Sequence, residues 1–319
     1  MEHVKISFNK KDRKMKKAFL FPGQGSQYVG MGKDLYQSYP HVKDLYDLAE
    51  DLLGFPLKNI SFEGPEENLK QTQYTQPAIF VHSMAVFSVL KDTGILPDAA
   101  AGHSLGEYSA LTAAGAFSFE DALSVVKLRG EQMQRSGEKN PGTMAAIIGL
   151  SAADVEEICT EASKSGIVKP ANFNSPVQIV ISGSIPGVHK AMELAKQKRA
   201  RMVTELVVSG AFHSPLMGDA LEGLTVALDK LHIKQPDIPV YTNVTAKPGT
   251  SVEQIKDLLK KQLLSPVLWQ NIIQNMITDG AVQFYEIGPG KVLQGLLKRI
   301  NPEVSCLSID KFEDLQKLT

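Results

Sequence analysis

The residues best suited to chemistry in this sequence form the run Gly102-His103-Ser104-Leu105-Gly106. This run matches G-x-S-x-G, a sharp turn between a strand and a helix that lifts a serine hydroxyl above the edge of a sheet. The backbone N–H of Leu105 can then point at negative charge that develops on a substrate oxygen. The motif indicates a nucleophilic serine, although the same residues also fit an ordinary strand-to-helix turn.

A serine nucleophile needs a base, and the chain offers seven histidines. His3 lies in the N-terminal segment, and the side chain of His103 is expected to face away from the serine. Four more are expected in helices, beside them or at their ends: His41, His82, His189 and His232. His213 stands apart, because it lies between a predicted strand and a predicted helix, where α/β proteins place catalytic groups. Elimination therefore selects His213, although no carboxylate stands out as the partner that orients it.

A glycine-rich segment, GQGSQ at 23–27, follows the first predicted strand. It departs from the phosphate-binding motifs, since it lacks the G-x-G-x-x-G spacing and Lys33 precedes Asp34 rather than Ser or Thr. Two interpretations stay open. The segment is either a flexible turn or a loop whose missing side chains let the backbone and Gln24 approach another strand end closely.

Arg129 and Met133 lie four residues apart and therefore share one face of a predicted helix. An arginine fork can bind a carboxylate through two parallel hydrogen bonds. A single arginine on a helix is nevertheless more often a solvated surface residue, and the sequence alone favours that position for Arg129.

Strands and helices alternate along most of the chain, which predicts a parallel sheet covered on both faces. One helix is predicted to begin at Pro77, because proline suits the first helical turn. Ser118 and Ser151 are predicted to cap two further helices. The segment after Pro141 instead shows the order β-α-β-β-α-β, which is ferredoxin-like. We therefore predict a small domain at 142–209 inserted into a larger α/β domain at 16–141 and 210–319, after a mobile tail at 1–15.

The bulk composition excludes several classes of protein. The 319 residues carry a net charge of −1 with a pI of about 6.7, which argues against a nucleic-acid binder. The longest apolar run is too short and too polar to span a bilayer, and no signal peptide is recognisable. Two distant cysteines, Cys159 and Cys306, predict neither a disulfide framework nor a metal site and favour the cytoplasm.

Taken together, the motifs resemble the acyltransferases of fatty acid and polyketide synthesis, over residues from about Lys16 to Ile309. The matching segments occur in the same order as in that family: Gly23–Gln27, Gly102–Tyr108, Arg129-Gly130-x-x-Met133, Asn172–Val180, Gly210–Ser214 and Glu286-x-Gly288-Pro289-Gly290. The resemblance implies an α/β-hydrolase-like large domain that carries the ferredoxin-like small domain.

The resemblance also implies a role for each matching residue. Ser104 resembles the nucleophile, His213 its general base and acid, and Gln262 the residue whose main-chain carbonyl orients the histidine. Gln24 and the Leu105 amide resemble the oxyanion hole. Three residues match positions that line the malonyl pocket in that family. Arg129 resembles the arginine that pairs with the malonyl carboxylate, Met133 the neighbouring pocket residue, and Phe212 the residue that selects malonyl groups.

The implied reaction moves a malonyl group from malonyl-CoA to the phosphopantetheine thiol of an acyl carrier protein, through an ester on Ser104. Coenzyme A enters as part of the substrate, and neither a cofactor nor a metal is expected. We expect a cytoplasmic monomer that binds no nucleic acid and no membrane. Three alternatives remain: supply of polyketide rather than fatty acid synthesis, a proofreading hydrolase of acyl carrier proteins, and a non-enzymatic docking subunit. The pocket arginine argues against the hydrolase, and the intact Ser104 and His213 argue against the docking subunit.

Overall fold

The computed structural model describes residues 17–318, so the tail predicted at 1–15 lies outside the described residues. Numbered along the chain, the strands are β1 (Lys17–Phe21), β2 (Ala99–Gly102), β3 (Gly142–Ile148), β4 (Val168–Ser175), β5 (Gln178–Ser184), β6 (Met202–Leu206), β7 (Val240–Tyr241), β8 (Gln283–Ile287) and β9 (Ser305–Ile309).

The helices, numbered in the same way, are α1 (Lys33–Ser38), α2 (Pro40–Leu53), α3 (Leu57–Phe62), α4 (Glu66–Leu69), α5 (Thr72–Asp92), α6 (Gly106–Ala113), α7 (Phe119–Lys139), α8 (Ala152–Ala162), α9 (Ile185–Gln197), α10 (Gly218–Lys230), α11 (Val252–Gln262), α12 (Trp269–Thr278), α13 (Val292–Ile300) and α14 (Phe312–Gln316). A short 3₁₀ turn at Pro215–Met217 precedes α10.

Strand β1 lies in the middle of a parallel sheet with the order β7-β2-β1-β8-β9. Its apolar side chains alternate between the two faces, and both faces are buried. Phe19 and Phe21 join a hydrophobic cluster that α5, α6 and α7 complete, whereas Ala18 and Leu20 join a cluster with α12 and α13. The predicted parallel sheet with helices on both faces is therefore confirmed.

A separate antiparallel sheet has the order β4-β5-β3-β6. Helices α8 and α9 pack against it around Ile147, Ile158, Ile181 and Val188. The chain order β3-α8-β4-β5-α9-β6 is the ferredoxin-like arrangement expected from the sequence. The predicted fold class is confirmed, while the domain limits at 142 and 209 stay a prediction.

Two predicted helix starts are confirmed by their hydrogen bonds. The backbone N–H of Asp121 donates to Ser118 Oγ at 3.1 Å, and that of Asp154 donates to Ser151 Oγ at 3.2 Å. The Ser151 N–H in turn donates to the Asp154 carboxylate at 3.3 Å, which completes a capping box. Local sequence signals thus determine where α7 and α8 begin.

The predicted start of α5 at Pro77 is wrong, because the helix begins at Thr72 and Pro77 lies inside it. A distant side chain caps the additional turn, since the Thr72 N–H donates to Gln134 Oε1 on α7 at 3.1 Å. The helix is buried along most of its length. Packing therefore outweighs the backbone hydrogen bond that Pro77 cannot donate.

Candidate active site

The carboxyl ends of three adjacent strands meet at one edge of the parallel sheet. Phe21 ends β1, Gly102 ends β2 and Tyr241 ends β7, and these strands are neighbours in the sheet. Binding sites of open α/β sheets commonly lie at this edge. The sheet order thus brings together the GQGSQ segment, the G-x-S-x-G turn and Asn243.

Ser104 lies at the apex of the turn between β2 and α6, with a backbone φ of 52°. This left-handed conformation is uncommon outside glycine and is concentrated at functional turns. The flanking glycines are required by space. A Cβ on Gly102 would lie 1.8 Å from main-chain atoms of Gly106, and a Cβ on Gly106 would lie 2.0 Å from the Phe21 carbonyl oxygen. The predicted strand–turn–helix context is confirmed.

His213 faces the serine, with Nε2 at 2.8 Å from Ser104 Oγ. Its Nδ1 lies 2.9 Å from the main-chain oxygen of Gln262. Because a carbonyl only accepts, Nδ1 carries the proton, and Nε2 is left to accept from the serine hydroxyl. Burial first, and then the charge of Arg129, lower the pKa of His213 to about 3, against the opposing effect of the hydrogen bond to Gln262. The imidazole is therefore neutral and ready to accept a proton at neutral pH.

Arg129 projects from α7 into the same site and is only 1% exposed. Its Nη2 donates to Ser104 Oγ at 3.1 Å and to Gln262 Oε1 at 3.0 Å, and its Nη1 donates to Gln76 Oε1 at 2.8 Å. Its Nε is buried and has no hydrogen-bond acceptor among residues 17–318. Burial lowers the pKa of this guanidinium. The surface position that the sequence alone favours is therefore wrong.

Two further predicted pocket residues, Met133 and Phe212, are buried apolar side chains. Met133 is 2% exposed and follows Arg129 on the same face of α7, and its sulfur accepts a hydrogen bond from Gln76 Nε2 at 3.2 Å. Phe212, which precedes the base in the chain, is 6% exposed and belongs to the same hydrophobic cluster as Met133. Gln76 thus links Met133 to Arg129 through hydrogen bonds to both side chains, whereas the pocket role of Phe212 stays a prediction.

The glycine-rich segment reaches the turn that carries the serine. A Cβ on Gly23 would lie 2.3 Å from the main-chain oxygen of His103, so only glycine permits this approach. Of the two earlier interpretations, close approach is the correct one. Gln24 is half-buried here and its Nε2 donates to Thr72 Oγ1 at 3.2 Å. Leu105 directly precedes α6, with its backbone at the N-terminus of that helix.

Sequence reasoning assigned no role to three buried polar residues: Gln76, Glu107 and Asn243. Asn243 Oδ1 accepts the Ser104 N–H at 2.7 Å, and its Nδ2 donates to the Gly102 carbonyl at 2.7 Å. Glu107 Oε2 accepts from the Asn243 N–H at 3.1 Å and from Gln262 Nε2 at 2.8 Å. The one feature of the sequence that could have pointed to this group is Glu107, the single charged residue of helix α6. The sequence gives no sign of the contact with Asn243, because that contact depends on the order of the strands in the sheet.

Two further observations concern residues 17–318. They contain no group of three or more histidine, cysteine or acidic side chains placed to hold a metal ion. No helix in this range has the length and apolar character needed to cross a membrane. Both cysteines are free thiols, with Cys159 buried and Cys306 half-buried.

Comparison with known proteins gives consistent relatives. The family model described as "Acyl transferase domain" matches residues 18–305. The malonyl CoA-acyl carrier protein transacylase of Bacillus subtilis (strain 168) is 46% identical over 300 residues, which cover 94% of this chain and 95% of that protein. The crystal structure of an acyl carrier protein S-malonyltransferase from Vibrio cholerae is 41% identical, covers 95% of this chain and 100% of its own, and superposes with a TM-score of 0.92.

A third similar structure contains a partner. It is a malonyl-transacylase in complex with the acyl-carrier protein of a type II polyketide synthase, 40% identical to this chain with a TM-score of 0.92. The match covers 95% of this chain and 98% of that one. The family match at 18–305 spans the segments of the chain that carry the candidate site.

Proposed function

The chain belongs to the acyl transferase domain family, and from that membership we propose that it transfers a malonyl group from malonyl-CoA to an acyl carrier protein. Malonyl thioesters on carrier proteins supply fatty acid or polyketide synthesis. One observation carries the proposal at this site. The neutral His213 and the buried cation of Arg129 both contact Ser104 Oγ, at 2.8 and 3.1 Å. A nucleophile with a base on one side and a carboxylate binder on the other suits an acyl group that ends in a carboxylate.

In the first half-reaction, Ser104 Oγ attacks the thioester carbonyl of malonyl-CoA while its proton passes to His213 Nε2. The Leu105 N–H and Gln24 stabilise the resulting oxyanion. The C–S bond then breaks, coenzyme A leaves with the proton from His213, and the malonyl group remains as an ester on Ser104. The main-chain carbonyl of Gln262 stabilises the histidine while it carries the extra proton, since it accepts from Nδ1.

In the second half-reaction, the phosphopantetheine thiol of the carrier protein gives its proton to His213 and attacks the ester carbonyl. The ester C–O bond breaks, and Ser104 Oγ recovers the proton from His213. Coenzyme A and the phosphopantetheine arm belong to the two substrates, so the chain itself needs no cofactor. The separate half-reactions make the kinetics ping-pong.

Substrate selection belongs to the pocket around Arg129. The guanidinium binds the malonyl carboxylate, and its unpaired Nε provides a further donor. Met133 and Phe212 fill the neighbouring apolar space and limit the size of the acyl group. We further propose a monomer in the cytoplasm, because one chain supplies the whole site and the free cysteines fit a reducing compartment.

Intact-protein mass spectrometry tests the proposal. The protein is exposed briefly to malonyl-CoA, methylmalonyl-CoA or acetyl-CoA, and a carrier protein is then added. We expect a malonyl adduct that passes to the carrier and is absent from Ser104→Ala. Loss of the adduct to water without loading of the carrier would instead identify a hydrolase. No adduct on the unmodified protein would reject the nucleophilic role of Ser104.

The role of Arg129 is tested with the same assay. Arg129→Ala should slow malonyl loading roughly ten- to a hundredfold, because hydrogen bonds to a charged group contribute about 1.5–3 kcal/mol, and acetyl loading should change less. Arg135→Ala is the matched control, since it removes an exposed arginine from the same helix. Unchanged malonyl loading by Arg129→Ala would refute the assigned role.

A further inference from the structure

The Arg129 guanidinium lies beside Ser104 Oγ, and no carboxylate among residues 17–318 forms an ion pair with it. The Gln262 side-chain amide stands between this cation and the carboxylate of Glu107, with Oε1 at 3.0 Å from Arg129 Nη2 and Nε2 at 2.8 Å from Glu107 Oε2. A carboxylate in direct contact would occupy the donors that an incoming carboxylate needs. The intervening amide therefore leaves the guanidinium available to a substrate.

The amide of Gln262 is useful to Arg129 in only one of its two orientations. Its oxygen faces a group that only donates, the guanidinium, and its nitrogen faces a group that accepts, the carboxylate. The nitrogen also donates to the Ser104 carbonyl oxygen at 2.9 Å. Turning the amide by half a rotation would place donor against donor at Arg129 and acceptor against acceptor at Glu107. The carboxylate, together with the Ser104 carbonyl oxygen, thus favours the amide orientation that presents an acceptor to Arg129.

We propose that Glu107 is a positioning residue, which fixes the orientation of the Gln262 amide and through it places Arg129 for the carboxylate of the acyl group. This inference rests on the proposed function. Glu107 does not touch the reacting atoms, and its effect reaches them through Gln262. Discrimination between malonyl and acetyl groups then depends on a residue outside the pocket.

Burial and hydrogen bonds hold the Glu107 carboxylate in a fixed position. It is 1% exposed, and its Oε2 also accepts the N–H of Asn243 at 3.1 Å. Asn243 is fixed in turn by two hydrogen bonds to the main chain of the turn, at Gly102 and Ser104. One carboxylate oxygen therefore joins the turn that carries the nucleophile to the residue that orients both Arg129 and His213.

The test measures the ratio of the second-order rate constants for acylation of Ser104 by malonyl-CoA and by acetyl-CoA, at about pH 8 so that the carboxylate is ionised. Glu107→Ala should lower this ratio about tenfold, mainly through slower malonyl transfer, because the amide nitrogen then keeps only the Ser104 carbonyl oxygen as its acceptor. Glu107→Gln keeps an acceptor oxygen in the same place and should restore most of the ratio. An unchanged ratio in Glu107→Ala would overturn the proposal.

The matched control is Glu286→Ala. Glu286 is also a fully buried carboxylate that accepts two N–H groups, those of Leu293 and Gln294, but they belong to α13, away from Ser104. This variant should lose stability and keep the ratio. A ratio that falls equally in Glu286→Ala would show a general effect of removing a buried carboxylate, and would also overturn the proposal.

A further variant keeps the test decisive if Glu107→Ala does not fold. Gln262→Ala removes the amide but keeps the main-chain carbonyl that accepts from His213, so its ratio should fall to a similar extent. A normal ratio in Gln262→Ala would overturn the proposal. Failure of the proposed function is distinguishable, because the unmodified protein would then form no malonyl adduct or would not pass it to a carrier protein.

Discussion

His213 and Glu107 are buried ionisable groups close to Ser104, and burial moves their pKa values in opposite directions. Burial favours the neutral form of each group. It therefore lowers the pKa of the imidazole to about 3 and raises that of the carboxyl to about 7, the latter against the hydrogen bonds from Gln262 and Asn243. Between pH 5 and 9 the imidazole remains neutral, whereas Glu107 changes its charge.

The rate of Ser104 acylation by malonyl-CoA should show no inflection near pH 6.5, the ordinary pKa of histidine, because His213 is already deprotonated there. Any inflection near pH 7 from ionisation of Glu107 should be small, because the protonated carboxyl keeps a carbonyl oxygen that can accept from the Gln262 amide. The measurement is kcat/KM from pH 5 to 9 for the unmodified protein and for Glu107→Gln. An inflection near pH 6.5 that persists in Glu107→Gln would belong to the histidine and contradict this assignment.

The turn between β2 and α6 is the element whose geometry determines where Ser104 lies. Its sequence already requires glycine at both flanks, and the structure shows the main-chain atoms that impose this requirement. The start of α5 could not be predicted from its own residues, because the group that caps it, Gln134, belongs to another helix. Local chemistry predicts an element when the residues that stabilise it are close in sequence.

Gly106→Ala should destabilise the fold by roughly 1–3 kcal/mol or more and slow acylation, because the added methyl group would lie 2.0 Å from the Phe21 carbonyl oxygen. Gly295→Ala is the control. Gly295 lies within α13 with no atom near its Cβ position, so alanine should stabilise the protein by about 0.5–1 kcal/mol. Urea denaturation measures the stability of the two variants, and the acylation assay measures their rates. Equal stability of the two variants would contradict the steric argument.

At the scale of the whole molecule, strand β4 of the small sheet is joined beside the site to the segment between α11 and α12. The Val267 N–H donates to the Ala171 carbonyl, and the Phe173 N–H donates to the Val267 carbonyl, both at 2.9 Å. His103 Nε2 lies 2.9 Å from Asn174 Oδ1 on β4. The residue next to the nucleophile therefore depends on the small sheet for its position.

These contacts predict that both sheets unfold in one transition. The single tryptophan, Trp269, is fully buried with its ring centroid 5.4 Å from that of His103, so its fluorescence reports on this junction. Urea curves from Trp269 fluorescence and from far-UV circular dichroism should coincide. Asn174→Ala should shift both curves together, by about 1 kcal/mol. Dichroism that persists after the fluorescence change would show that the sheets unfold separately.

The sequence by itself determined the two-sheet architecture and the turn that carries Ser104, because both follow from local patterns of residue types, and it predicted His213 as the base by elimination. The resemblance to acyltransferases added roles for Gln262, Gln24 and Arg129. Only the tertiary structure decided that Arg129 is buried and that Glu107 and Asn243 support the site. Glu107 and Gln262 are 155 positions apart, and their contact follows from strand order and helix packing, which no local pattern records.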